Sequence, residues 1–160
     1  MTALTVRPMT EAEQTAYRDK VAQGYVRQRV KFGGETEEVA ADHARASMEK
    51  LWPGGRPAPG QHLYVAEVDG QVVGTLWLSE TTPDGIPGNA WIYDIEIDDP
   101  YRGKGYGRDL ICAAEKLALE LGCENLALNV FGGNEVAISL YQSLGFRPSS
   151  LQLSKRLVAG

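Results

Sequence analysis

Leu4 to Arg7 alternates apolar and polar side chains and is closed by Pro8, the pattern of a short strand. Thr10 and Glu11 then open a helix that should run to about Phe32. Its apolar positions Tyr17, Val21, Tyr25 and Phe32 recur at roughly helical spacing, and Gly33-Gly34 stops it. A second helix, Thr36 to Leu51, presents Val39, Ala40, Ala44, Ser47, Met48 and Leu51 along one side. The run Pro53 to Gly60 can neither continue a helix nor enter the middle of a sheet, so it reads as a connector, with a mobile lid as the rarer alternative.

Beyond that connector the period shortens. His62 to Glu67 and Gln71 to Ser79 favour strands, and the Asp69-Gly70 pair between them predicts a tight antiparallel hairpin. Thr81 to Asn89 is a longer turn before a strand at Ala90 to Ile97. A glycine-rich turn follows, then a helix from Arg108 to Leu121 with Leu110, Ala114, Leu117 and Leu121 on one face, capped by Gly122. Asn125 to Val130 is the next strand, and strand, helix, strand implies a parallel pair. A last helix starts at Asn134, carries Val136, Ala137, Leu140, Tyr141 and Leu144, and stops at Gly145. Phe146 and the segment Leu151 to Leu157 are expected to close the sheet as final strands.

With 160 residues, 43% hydrophobic and 23% charged, the chain fits one globular domain spanning residues 1–160. No window is apolar for the ~18 residues that a membrane span needs, and the start lacks a charged segment followed by a long apolar stretch. A cytoplasmic location without a membrane partner is therefore expected. The net charge of −5 argues against a nucleic-acid surface and suits a cationic substrate. Cys112 and Cys123 are too few for a disulfide framework and lack metal-ligand spacing with His43 and His62, so no metal is expected.

The chemistry concentrates in Arg102-Gly103-Lys104-Gly105-Tyr106-Gly107, placed between a strand and a helix. Glycine lets the main chain take positive φ and approach a ligand closely, and a helix N-terminus offers unpaired N–H groups with partial positive charge. That combination is a phosphate cradle. Lys104 and Arg108 can neutralise phosphate oxygens there, or can remain solvated charges. The dinucleotide-binding pattern does not fit, because Asp98 to Arg102 intervene between strand and glycines. A Walker loop does not fit either, since Lys104 is followed by Gly105 rather than Ser or Thr.

The stretch resembles the pyrophosphate-binding motif of the GNAT acetyltransferase family: Arg or Gln, two residues, Gly, one residue, Gly or Ala. Arg102, Gly105 and Gly107 satisfy it. A second resemblance lies in Asn129 to Asn134 and Ala137 to Phe146, where the family places an Asn at a helix start and a Tyr seven residues later, before Gly-Phe. In a helix seven residues return within about 20° of the starting direction, so Asn134 and Tyr141 can share a face roughly 10 Å apart. The resemblance is specific from Trp91 to Phe146 and only topological before that.

It implies an α/β (α+β layered) fold with a mixed, mostly antiparallel central sheet, splayed fourth and fifth strands, and helices on both faces. It also implies acetyl-CoA as co-substrate. Main-chain groups of Ile95 and Ile97 would hold the pantetheine arm, Arg102 to Arg108 (Gly103, Lys104, Gly105, Tyr106 and Gly107 between them) the pyrophosphate, with Asn134 and Tyr141 lining the same cleft. The oxyanion would meet a main-chain N–H near Ile97.

Acetyl transfer to an amine needs a neutral amine and a proton for the departing thiolate. A free alkylamine has a pKa of about 10, so at neutral pH under about one molecule in a hundred can attack unless the site removes its proton. Asp94 and Glu96 share one face of their strand, opposite Ile95 and Ile97. There they can attract the amine and take its proton, Glu96 lying nearer the glycine turn, or they can be held by hydrogen bonds from the first two helices. Protein N-terminus acetylating relatives carry a Glu base where this chain has Asn129, which cannot act as one.

Tyr141 is matched to protonate the thiolate. The cysteines offer no evident nucleophile, so direct attack in a ternary complex is expected. The expected activity is N-acetylation of a primary amine on a small molecule or peptide. A CoA-binding sensor or regulatory module is the alternative from a different class. The exposed final strands allow a homodimer. His43, His62, Trp52, Trp77 and Trp91 read as packing or edge residues, although Trp52 and Tyr25 could line an acceptor pocket.

Overall fold

The structure is a computed structural model and describes residues 3–160. Strand β1 (Thr5–Pro8) leads into helices α1 (Glu11–Lys31) and α2 (Glu37–Leu51), then strands β2 (Gln61–Val68), β3 (Gln71–Thr81) and β4 (Pro87–Ile97). Helix α3 (Tyr106–Glu120), strand β5 (Asn125–Leu128) and helix α4 (Glu135–Ser143) complete the regular elements. The helices start where their caps dictate. Thr10 Oγ1 accepts from Glu13 N while Glu13 returns a carboxylate to Thr10 N, and Thr36 Oγ1 accepts from Val39 N. Asp69 and Gly70, at φ 52° and 76°, make the left-handed two-residue turn that the β2–β3 hairpin requires.

The sheet runs β1-β2-β3-β4-β5, antiparallel throughout except for the parallel β4–β5 pair. Alternation sorts its side chains into two cores. On one face Leu63, Val65 and Trp77 meet Met9, Tyr17 and Trp52 from the β1–α1 connection, α1 and the end of α2. On the other, Tyr64, Ala66, Val73, Leu76, Leu78, Ala90 and Ile92 pack against Leu110, Ala114 and Ala118 of α3. The architecture expected from the sequence, a mixed and mostly antiparallel sheet with helices on both faces, is therefore present.

Gly74 shows how tightly β3 and β4 approach. A Cβ there would collide with the Glu96 carbonyl oxygen and stand 3.0 Å from Ile97 Cδ1. Gly74→Ala is expected to destabilise the fold by about 1–3 kcal/mol, read as a fall in denaturation midpoint at unchanged m-value.

The final strands expected at Phe146 and at Leu151 to Leu157 do not form. Residues 146–160 have no regular structure, and Leu151, Leu153 and Leu157 are exposed. Alternation says which face a strand would present, but a strand also needs an edge to pair with, and β5 offers only four residues. A homodimer joined through final strands loses its basis accordingly. No helix among the described residues is long and apolar enough to cross a membrane.

Candidate active site

The site begins where β4 leaves β5. The parallel ladder runs from Asn89 opposite Asn125 to Ile92 opposite Leu128 and stops. On the other side of β4, Leu78 pairs with Ile92 but Trp77 pairs with Asp94, so Tyr93 is an extra residue, a β-bulge. A bulge bends its strand and sharpens the local twist. After it, Tyr93 to Ile97 follow β3 alone, leaving a gap toward the β5 side.

The direction of the main-chain groups along that gap follows from one bond. Asp98 N donates to Val73 O at 2.8 Å, which makes 73/98 a hydrogen-bonded pair. In an antiparallel ladder such pairs alternate, so Glu96 and Asp94 point their main-chain groups at β3. Ile95 and Ile97 point theirs outward, into the gap. The outward Ile97 carbonyl accepts from Arg102 Nε at 2.9 Å.

Arg102 also meets Glu96 at 3.3 Å and Asp99 at 2.9 Å, pinning the start of the glycine turn to the end of β4. Gly103 and Gly105 then take φ of 77° and 86°, and Gly105 is the N-cap of α3 without any side-chain cap. Those angles are left-handed and need glycine, while a Cβ at either position would meet nothing within 4 Å. The space over the turn is open. Among the described residues the amides of Gly103, Lys104, Gly105, Tyr106, Gly107 and Arg108 donate to no main-chain acceptor. Helix α3 thus starts two residues earlier than its apolar pattern implies, which brings Tyr106 and Gly107 into its first turn.

The cations flanking the turn are placed differently from one another. Lys104 Nζ lies 5.9 Å from the Tyr101 ring centroid. Arg108 reaches α4, its Nη2 donating to Ser143 Oγ at 2.9 Å. A Cβ on Gly107 would stand 3.6 Å from Leu140 Cδ2, an ordinary contact that shows α4 lying beside the start of α3.

Of the residues on α4, Tyr141 is more than half buried, and burial followed by the Asp94 charge raises its pKa above 10. The hydroxyl therefore stays protonated at neutral pH and is available as a donor. Asn134 stands just outside the helix as its N-cap, with φ −88° and ψ 70°, and its Oδ1 accepts from Ala137 N at 3.4 Å. Helical phase counting begins one residue after it.

The two carboxylates have unlike surroundings. Glu96 is partly exposed beside Arg102. Asp94 is half-buried, and Tyr17 Oη donates to its Oδ2 at 2.6 Å. Burial pushes the Asp94 carboxyl up to about 6, with the Tyr17 hydrogen bond opposing, the Glu96 charge adding and Lys20 opposing. Of the two possibilities open in the sequence, the hydrogen bond from α1 is present for Asp94, and its charge also acts on Tyr141.

Tyr17 was not legible as a site residue. In sequence it is one apolar position of an amphipathic helix, and the partner it finds lies 77 residues away. The signal available was an aromatic with a polar end on a buried stripe, which needs an acceptor once its ring is covered. Trp52 is a core residue, 6.4 Å from the Tyr17 ring and edge-on to Trp77 at 5.7 Å, and its edge also lines a surface cavity with Arg18, Met48 and Pro53. Tyr25 remains at the surface, bonded to Arg29 at 2.8 Å and close enough to affect Tyr93. His43 contacts Arg29 and Glu35, and His62 contacts Glu80, both apart from the turn and the gap.

Comparison with known proteins identifies the family and the fold. The model of the Acetyltransferase (GNAT) family matches residues 21–146. The chain is 32% identical to the uncharacterized N-acetyltransferase YdgE of Bacillus subtilis (strain 168), over 97% of this chain and 99% of that one. It is 31% identical to the N-acetyltransferase YycN of the same organism, over 96% and 99%. The crystal structure of YycN superimposes with a TM-score of 0.88 at 30% identity, covering 98% of this chain and 100% of that one. The fold also extends to the aminoglycoside N-acetyltransferase AAC(6')-Iy in complex with CoA, at a TM-score of 0.60 and 17% identity over 99% and 97%.

Proposed function

The chain belongs to the GNAT acetyltransferase family and is an acetyl-CoA-dependent acetyltransferase, and from the geometry of its site we propose that it transfers the acetyl group directly to a primary amine of a small molecule or peptide. The observation that carries this reading is the continuity of the site. Open main-chain amides at the start of α3 and outward main-chain groups of Ile95 and Ile97 follow one another along the gap, and Tyr141 of α4 lies near enough to Asp94 to feel its charge.

The residues present fit acetyl-CoA. Six amides with no main-chain acceptor, around two left-handed glycines, match the oxygens of a diphosphate. The strand edge at Ile95 and Ile97 matches an amide-bearing arm that can pair with it as a strand would. Acetyl-CoA supplies the activated thioester carbon. Arg102 holds the turn against β4, Lys104 and Arg108 add positive charge beside it, and Asn134 orders the start of α4 beside the cleft.

The remaining work is proton transfer. As the amine nitrogen bonds to the acetyl carbon and the carbon–sulfur bond breaks, the nitrogen must lose a proton and the sulfur must gain one. Of the two carboxylates, Asp94 suits the first task better than Glu96. Its pKa near 6 leaves it ionised at neutral pH yet close enough to accept a proton, whereas Glu96 is engaged by Arg102. Tyr141, kept protonated, gives up its proton to the thiolate.

The test is release of free thiol from acetyl-CoA against a panel of amines, peptides and aminoglycosides. Amine-dependent release is expected, and release in none of them, with acetyl-CoA still raising the melting temperature, would instead indicate a CoA-binding sensor. Gly105→Val is expected to weaken acetyl-CoA binding about tenfold by calorimetry. A β-branched residue costs about 1–2 kcal/mol in the left-handed region, and the turn would relax away from the shape that aligns its amides.

A further inference from the structure

We propose that Tyr17 is a positioning residue for acetyl transfer: the hydroxyl that it donates to Asp94 Oδ2 holds this carboxylate in its ionised form and in place, leaving Oδ1 to take the amine proton. The proposal rests on the reading of Asp94 as proton acceptor and adds a helix to the catalytic apparatus.

Three features carry it. The bond is short, 2.6 Å, and links the second turn of α1 to the residue directly after the β4 bulge. A phenol donating to a carboxylate is a charge-assisted bond, stronger than one between neutral groups. Second, the phenol is fixed. Tyr17 is only 5% exposed, and its ring lies against Trp52, which packs edge-on to Trp77, whose ring lies tilted 4.8 Å from that of the bulge residue Tyr93. The hydroxyl cannot swing to water, and the same aromatic chain returns to the strand that Asp94 occupies.

Third, the surroundings of Asp94 give Tyr17 a distinct task. Tyr17 and Lys20 face it from α1, Glu96 from its own strand, and Tyr141 from α4. Burial and Glu96 favour the protonated acid, while Tyr17 and Lys20 favour the carboxylate. Tyr17 is the direct contact among them. Burial and the Asp94 charge hold its own pKa well above 10, so it serves as a donor throughout the working range and never as a competing base.

The experiment is Tyr17→Phe, which removes one oxygen and keeps the ring. Carbon-13 NMR of the Asp94 carboxyl is expected to show its titration midpoint moving up by about one unit. The acid limb of kcat should move with it, so that turnover falls about fivefold at pH 6 and barely at pH 8.5, with acetyl-CoA affinity unchanged. In an Asp94→Asn background Tyr17→Phe should cost nothing further in turnover. Replacing Tyr17 with 3-fluorotyrosine, a stronger donor, should move the midpoint down, and this variant decides the matter if Tyr17→Phe does not fold.

An Asp94 titration that stays where it was, or a pH profile scaled by one constant factor, overturns the role of Tyr17 alone. Full turnover in Asp94→Asn overturns the base assignment and this proposal together.

Discussion

Asp94→Asn is expected to lower turnover about 100-fold and, at pH 8, to raise the melting temperature. The two effects share one cause. Folding carries the Asp94 carboxyl from its ordinary 3.8 to about 6, so the native state binds that proton more tightly than the unfolded chain does. Above pH 6 the native protein holds a poorly solvated charge at a cost of roughly 3 kcal/mol. Asn has the same shape, carries no charge, and can still accept from Tyr17 through its amide oxygen. The gain in stability should be complete above pH 6, shrink as pH falls, and vanish below about pH 4, where Asp94 is protonated in both states. Loss of turnover measures the proton acceptor, for which positioned acid–base groups contribute about 100-fold or more. A variant both inactive and unstable at pH 8 would mean that Asp94 is a structural anchor.

Tyr141→Phe is expected to lower turnover at least tenfold while acetyl-CoA affinity barely moves. The substitution removes a single oxygen from a ring packed 5.7 Å from Phe146, so the shape of the cleft is retained. What disappears is a hydroxyl kept protonated by burial and by the Asp94 charge, the condition that a donor to a departing thiolate requires. Steady-state kinetics beside calorimetry of acetyl-CoA binding separates the two quantities. Unchanged turnover would remove Tyr141 from the reaction.

What the sequence made legible followed from local rules. Gly103 and Gly105 stand out because positive φ is a demand on one residue at a time, and Asp69-Gly70 announced its hairpin for the same reason. The helices of residues 11–31 and 37–51 were readable from their caps and apolar periods. The non-local features were not readable. Simple alternation sets Tyr93 on the side of Ile95 and Ile97, whereas the bulge turns it toward α1 beside Asp94, and nothing in an apolar strand marks where an extra residue will be absorbed. The Tyr17–Asp94 bond depends on how a helix settles on a sheet. The segment Leu151 to Leu157 has the period of a strand, yet forms none, because the short β5 provides little edge.

Glu96 illustrates the limit within the site. Its place near the turn made it the better base on sequence grounds, but proximity could not reveal that Arg102 would bridge it to Asp99 and the Ile97 carbonyl. Burial, which decides pKa, belongs to the folded state alone.

The central claim is that the amides of the Gly103 to Arg108 turn hold the diphosphate of acetyl-CoA, with its thioester carried along β4 toward Tyr141. Titrating acetyl-CoA into nitrogen-15-labelled protein tests it most directly. The largest amide shifts are expected at Gly103, Gly105 and Gly107, with a second group at Ile95 and Ile97. Shifts confined to other parts of the chain, with the glycine turn unmoved at saturation, would contradict it.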